Sequence, residues 1–265
     1  SEMCIRDSVY SDGRKLGKEA VHFGMQRRAT RQYAALCQAR NAGVRLREPG
    51  KEEGAGKINK ERNMIYLDNA ATTKPDERAL CRAQEYLTTN YFNPSALYSE
   101  GFVLQSELKK ARSALLSPIA DSESFELVFT SCGTEADNQA VFNFGKRGNV
   151  VTTAGEHSAV AASVAELKNR GAAQPRFAPL KRDGSVDAEE LLRLVDDKTS
   201  LVSVIHVNNE TGAINDINAI ARAVKEKNSQ AVFHSDGVQA YGKIPFRLSK
   251  DIDCLLYTSP SPRDK

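Results

Sequence analysis

Four short runs concentrate side chains suited to one small-molecule site: Ser131-Cys132-Gly133-Thr134, Gly155-Glu156-His157, Asn208-Asn209-Glu210 and Asp236-Gly237-Val238-Gln239. Gly133 and Thr134 stand where a turn enters a helix. Unpaired backbone N–H groups and the positive end of the helix dipole favour an anion there, and Thr134 adds a hydroxyl donor. This is a phosphate cradle without a GxxxxGK or GxGxxG pattern. The competing role for Thr134 is an N-cap, with Asp137 closing a capping box. His157, between a strand and a helix, can lie over a flat ring or shuttle a proton, or it can cap the helix. Asp236 ends an apolar strand and is therefore a carboxylate held partly buried, in need of a cationic or donor partner. A protonated pyridine nitrogen supplies one, and that pairing keeps a pyridoxal ring electron-withdrawing; a core Lys or Arg is the alternative. Asn208 and Asn209 contribute amides, whereas His206 and His234, inside strand-like runs, read as packed core histidines. A phosphate nest, a ring-stacking His, an amide and an acid for a ring nitrogen fit one ligand, pyridoxal phosphate, although no single run is decisive.

Side chains so dispersed meet only if the elements between them bring one sheet edge together. From Met64 onward short β-branched runs alternate with segments of helical period. Strands are expected at 64–68, 125–130, 149–153, 176–180, 200–207 and 231–236. Helices are expected from near Asp76 and over 134–144, 158–169, 187–195 and 215–227. Leu104, Leu108, Ala111 and Leu115 share one face of a further helix. This order implies an α/β fold, a mainly parallel sheet with helices on both faces. In such sheets ligands sit beyond the carboxyl ends of the strands, where all four polar runs fall.

The 265 residues are 40% hydrophobic and 27% charged, with a mean hydropathy of -0.47. No apolar run approaches the ~20 residues that span a bilayer, and the start lacks the apolar core of a secretory signal. Five cysteines without ligand spacing suggest reduced thiols, so the cytoplasm is the expected location. Residues 1–63 carry 14 Lys+Arg against 8 Asp+Glu, and residues 64–265 carry 23 against 26. The basic charges are scattered and interrupted by acids, which argues against nucleic-acid binding. No metal-ligand spacing is present.

The two ends share a coding-level peculiarity. Residues 1–7 can be encoded by TCG GAG ATG TGT ATA AGA GAC, the start of an element whose reverse complement, read from its second base, encodes CLLYTSP, the run 254–260. The element resembles a transposase adaptor used in sequencing-library preparation, so residues 1–8 and 254–265 are expected to be adaptor translation, with a natural polar tail as the alternative. Residues 9–63 hold a weakly helical stretch at 27–42 and a polar run at 48–63, and are either an arm or read-through upstream of Met64.

The body, residues 64–253, resembles the cysteine desulfurases, fold-type I pyridoxal-phosphate enzymes of the class V aminotransferase group. The matching stretches, in family order, are IYLDNAATT (65–73), NPSALYSEG (93–101), VFTSCGTEADN (128–138), GEHSAV (155–160), HVNNETG (206–212) and HSDGVQAYGK (234–243). The resemblance implies the large domain of that fold, incomplete here. It implies that Gly133 and Thr134 hold the cofactor phosphate, that His157 stacks on the ring and assists proton transfer, that Asn209 bonds near the ring hydroxyl, that Asp236 pairs with the pyridine nitrogen and that Gln239 contacts the ring oxygen. It further implies L-cysteine as substrate, alanine and an enzyme persulfide as products, sulfur-acceptor or iron-sulfur scaffold proteins as partners, and a homodimer for the full-length protein.

Departures from the family pattern accompany the match. Cys132-Gly133 replaces a more usual Gly-Ala pair, and Tyr98 stands where a His is common. After IDCLL the family continues with Ser-x-His-Lys, whose lysine forms the Schiff base; here YTSPSPRDK follows. The cysteine-bearing loop and small C-terminal domain are also missing. Covalent catalysis needs both groups, so this chain is expected to be inactive. The alternatives are a selenocysteine lyase, another class V lyase or transaminase, and a non-catalytic scaffold.

Overall fold

A computed structural model describes residues 6–11, 65–71, 73–121, 123–146 and 148–258, the first of these by backbone alone. Most of the basic arm, including the expected helix at 27–42 and the polar run at 48–63, lies outside the described residues, as does 259–265. The described residues fall into two compact units divided at Leu108 and Lys109.

In the first unit, helix α1 (Glu77–Thr88) starts at Asp76, whose carboxylate accepts the Arg78 amide at 2.8 Å. The Arg78 side chain holds that carboxyl down at about 2. Helix α2 (Ser99–Leu116) begins here, and its Glu107 accepts from Arg82 and Tyr86 of α1. Of the expected stripe on α2, Leu104 is buried and Leu108 exposed. Residues 65–68, expected as a strand, form none: Ile65 and Leu67 are 82% and 88% exposed. An alternating apolar run becomes a strand only where a ladder partner accepts it, and it has none among the described residues. Cys81 is disulfide-bonded, which corrects the expectation that all thiols are reduced; spacing along a sequence does not report which Cα atoms a fold brings within bonding range. Cys132 and Cys254 keep their thiols.

The second unit is built on seven strands: β1 (Arg6–Ser11), β2 (Phe125–Thr130), β3 (Gly148–Thr153), β4 (Ala173–Ala178), β5 (Thr199–Ser203), β6 (Val232–Asp236) and β7 (Cys254–Thr258). They lie in the order β2-β1-β7-β6-β5-β3-β4. β1 is antiparallel to both neighbours, and β4, β3, β5, β6 and β7 pair in parallel. Alternation along each strand sorts the core. Val150, Leu201 and Val232 pack with Val141 of α3 (Gly133–Phe144) and Val160, Val164 and Leu167 of α4 (Ser158–Asn169). Val151, Val202, Phe233 and Leu255 pack with Leu191 of α5 (Ala188–Leu194) and Ile220 and Val224 of α6 (Ile217–Lys227). Helices therefore cover both faces of a mainly parallel sheet, the fold class expected.

Two strand boundaries move. β4 begins at Ala173 rather than 176. β5 stops at Ser203, short of the expected 207: Val204 and His206 N–H still donate to the β6 backbone, but Ile205 N–H donates to Glu156 Oε1 (2.9 Å) and Ile205 C=O accepts from Asn215 Nδ2 (2.8 Å). β7 and part of β1 coincide with the adaptor-like ends; a short run pairs by its backbone and side chains whatever DNA encodes it. Ahead of β7, Asp253 accepts from Lys225 of α6 and from Phe233 N–H (2.7 Å). No helix among the described residues is long and apolar enough to cross a membrane.

Candidate active site

All strands but β1 point the same way, so β2, β3, β5 and β6 deliver their C-terminal ends to one sheet edge. The four polar runs begin there. After β2, the cap of α3 is Cys132: its Sγ accepts the Glu135 amide at 3.4 Å, and Glu135 reaches back to accept the Ser131 amide at 2.6 Å. This reciprocal box lies two residues earlier than the expected Thr134–Asp137 pair, a correction with a consequence. Among the described residues the Gly133 and Thr134 amides and the exposed Thr134 hydroxyl have no protein partner, so the positive end of α3 leaves three donors unused, two on exposed Thr134 and one on buried Gly133.

After β3, His157 caps α4, its Nδ1 accepting the Ala159 amide at 3.3 Å. The capping and ring-facing roles are compatible, because an accepting Nδ1 assigns the proton of the neutral ring to Nε2. After β5, Asn208 is structural: its Nδ2 donates to Gly155 O (2.9 Å) and its Oδ1 accepts from Glu210 and Thr211 amides. That bond ties the His157 turn to the turn carrying Asn209, which is exposed at the loop tip. Asp236, at the end of β6, is 4% exposed; its Oδ1 accepts the Val238 amide at 2.9 Å. Gln239 is half-buried and its Oε1 accepts from Lys243, whose ammonium is lowered by burial.

Candidate ligating atoms of His157, Asp236 and Asp137 all lie within 4.8 Å of one another. Asp137 is 1% exposed and belongs to the buried face of α3 with Gly133, Ala136, Ala140 and Val141. A carboxylate inside an apolar helical stripe was the available signal for it. Behind the cluster stands Glu156, also missed as a site residue. Its Oε1 accepts from Thr153 Oγ1 (2.7 Å) and Ile205 N–H, while Oε2 is buried with no hydrogen-bond partner among the described residues. Burial raises this carboxyl to about 8, opposed by its Thr153 and Ile205 bonds and reinforced by nearby Asp236, so it is neutral at pH 7. His206 and His234 are buried, as expected of core histidines, and burial lowers each to about 4. The edge thus offers a cluster of donors for an anion and, one helical turn along α3, a carboxyl pair suited to a cation.

A model of the class-V aminotransferases matches residues 65–260. The chain is 37% identical over 198 residues to a cysteine desulfurase of Trichormus azollae, covering 73% of this chain and 48% of that protein. It is 38% identical over 204 residues to the cysteine desulfurase IscS of Pasteurella multocida, covering 74% and 50%. The chain spans about half the length of these curated relatives. Among solved structures it resembles a NifS-like protein at a TM-score of 0.65 and 34% identity, over 73% of this chain and 54% of the other. A NifS-like protein from Rickettsia africae gives 0.62 and 28%, over 74% and 54%.

Class-V aminotransferases are pyridoxal-phosphate enzymes, and the residues present fit that cofactor. The unused donors at Gly133 and Thr134 suit its phosphate, and the buried Asp236 and Asp137 suit a protonated ring nitrogen. His157 brings a flat ring to the same cluster. With the family match covering three-quarters of its length and these residues at the carboxyl edge of its parallel sheet, the chain belongs to the class-V aminotransferase family.

Proposed function

We propose that the chain is the cofactor-binding portion of a cysteine desulfurase, which converts L-cysteine to L-alanine and passes the sulfur on as a persulfide. The observation that carries the reading is the meeting at one sheet edge of the N-terminal donors of α3, Gly133 and Thr134, with a buried carboxyl pair, Asp137 of the same helix and Asp236 of β6. Pyridoxal phosphate, when bound, supplies an electron sink that weakens bonds at the amino-acid α-carbon. The chain's own residues supply the rest. Gly133 and Thr134 anchor the phosphate, Asp236 holds the ring nitrogen protonated, and His157 lies against the ring with Nε2 placed to exchange a proton. Asn209 and Gln239 bond the oxygen substituent of the ring; Gln239 does so after Lys243 gives up its hydrogen bond.

The same reading assigns residues 64–253 to the cofactor domain and residues 1–8 and 254–265 to adaptor translation, which the DNA flanking codon 253 tests directly. It also assigns sulfur-acceptor or iron-sulfur scaffold proteins as partners, a homodimeric full-length enzyme and a cytoplasmic location. The 265 residues alone are expected to take up pyridoxal phosphate without turning over cysteine. The test is equilibrium dialysis with pyridoxal phosphate, then addition of L-cysteine and assay of sulfide and of borohydride-trapped adduct. Uptake weakened about tenfold or more by D236A supports the reading. Absence of uptake refutes it, and sulfide release with a trapped lysine adduct refutes the expected inactivity.

A further inference from the structure

We propose that Asp137 is a second carboxylate of the ring-nitrogen pocket, a positioning residue set beside buried His234 that helps Asp236 keep the pyridine nitrogen protonated. The inference rests on the cofactor reading above. Asp137 and Asp236 reach the same pocket from different elements, helix α3 and strand β6. They are 1% and 4% exposed, with oxygens within 4.8 Å. Behind Asp137 runs a buried polar chain. His234 Nε2 lies 3.6 Å from Asp137 Oδ1, and His234 Nδ1 lies 2.9 Å from Ser203 Oγ. Ser203 in turn neighbours Glu156. His234 is neutral at pH 7, and in the tautomer whose Nδ1 accepts from Ser203 its single ring proton is on Nε2, the ring nitrogen nearer Asp137. A neutral acid and a neutral imidazole therefore back the pair without cancelling its charge.

The pair concentrates negative charge where a cationic ring nitrogen docks. A unit charge about 5 Å away at an effective dielectric of roughly 20–40 changes a proton affinity by about 10- to 100-fold. The titratable groups facing Asp137 are Asp236 and His234 from β6, His157 from the start of α4 and Glu156 from the preceding turn. From β7, Cys254 pairs with His234 in register and so shares its face. Glu135 lies on α3 itself, engaged in the cap.

The experiment uses the full chain with pyridoxal phosphate labelled with 15N in the ring, following the bound nitrogen by NMR from pH 6 to 10. The expected result is a ring-nitrogen pKa lower by about one to two units in D137N than in wild type, with folding checked by far-UV circular dichroism. D236N, which leaves Asp137 in place, should retain a ring-nitrogen pKa above that of the free cofactor. A D137N titration superimposable on wild type overturns the proposal while leaving the cofactor reading intact. So does a D236N value equal to that of the free cofactor, which decides the matter even where D137N does not fold. A wild-type chain showing no bound resonance overturns the cofactor reading and this proposal together.

Discussion

Replacing Glu156 by Gln isolates the energetic role of the buried acid. Gln keeps an oxygen where Oε1 accepts from Thr153 and Ile205, and it cannot ionise. The wild-type carboxyl is raised from its ordinary 4.5 to about 8, chiefly by burial. Between those values the unfolded chain releases the proton and the folded chain retains it, so the folded state binds more protons. Wild-type stability must therefore fall relative to E156Q as pH rises from about 4.5 through about 8. At 1.36 kcal/mol per pH unit the gap corresponds to about 5 kcal/mol at most. Water entry and local relaxation on ionisation reduce this, and a differential of about 2–4 kcal/mol between pH 5 and pH 8.5 is expected. The chain has no Trp, so urea unfolding is best followed by far-UV circular dichroism at matched protein concentration. Because the quantity is a difference between two variants at each pH, groups that titrate alike in both cancel. A wild-type-minus-E156Q difference that stays constant from pH 5 to pH 8.5 would refute the assignment of a neutral buried acid.

Two further perturbations test the scaffold. G148A should destabilise by about 3 kcal/mol or more in urea unfolding, because a Cβ there would lie 2.0 Å from the Lys198 carbonyl oxygen, backbone that cannot move aside cheaply. K225M should lower stability by about 2–4 kcal/mol, since Lys225 and Asp253 are only 17% and 21% exposed and the variant strands a carboxylate at the entry to β7; an effect below about 0.5 kcal/mol would show that the pair is effectively solvated.

Much of the second unit was legible because parallel strands buried on both faces leave near-continuous apolar runs, such as 200–205 and 231–233, between helices with Asp or His caps. What escaped was decided by tertiary partners. Residues 65–68 have a strand's alternation without a ladder to join. Val204 to Val207 have a strand's composition, but Glu156 and Asn215 take the backbone groups of Ile205. At the site, the residues just after strand ends were readable from topology alone: Thr134, His157, Asn209, Asp236 and Gln239 all emerge at one edge. Asp137 and Glu156 were not, because each acts from behind that edge. The sequence offers Asp137 as the partner of a Thr134 cap, whereas Cys132 and Glu135 make the cap, and a cysteine thiol is a weak acceptor that cap preferences rank poorly. Cys132, in the pair that departs from the usual family pattern, is the side chain that caps the helix, and the Gly133 and Thr134 amides keep no protein partner among the described residues.

The arrangement on α3 also restricts what the edge can hold. Thr134 and Asp137 are three residues apart on one helix, a rise of about 4.5 Å, so donors for an anion and a carboxylate for a cation are separated by less than one helical turn. A ligand satisfying both must carry opposite charges across a short rigid body. A simple phosphate satisfies only the Gly133–Thr134 end. A neutral ring ester satisfies that end and leaves Asp236 and Asp137 desolvated side by side, which like-charge repulsion in a buried site opposes. A phosphorylated pyridine meets both requirements, and on the proposed reading the carboxyl pair keeps its nitrogen protonated. The neutrality of Glu156 matters to this selection: an ionised third acid behind Asp236 would add negative charge that a single pyridinium already fails to cancel, whereas a protonated one adds none.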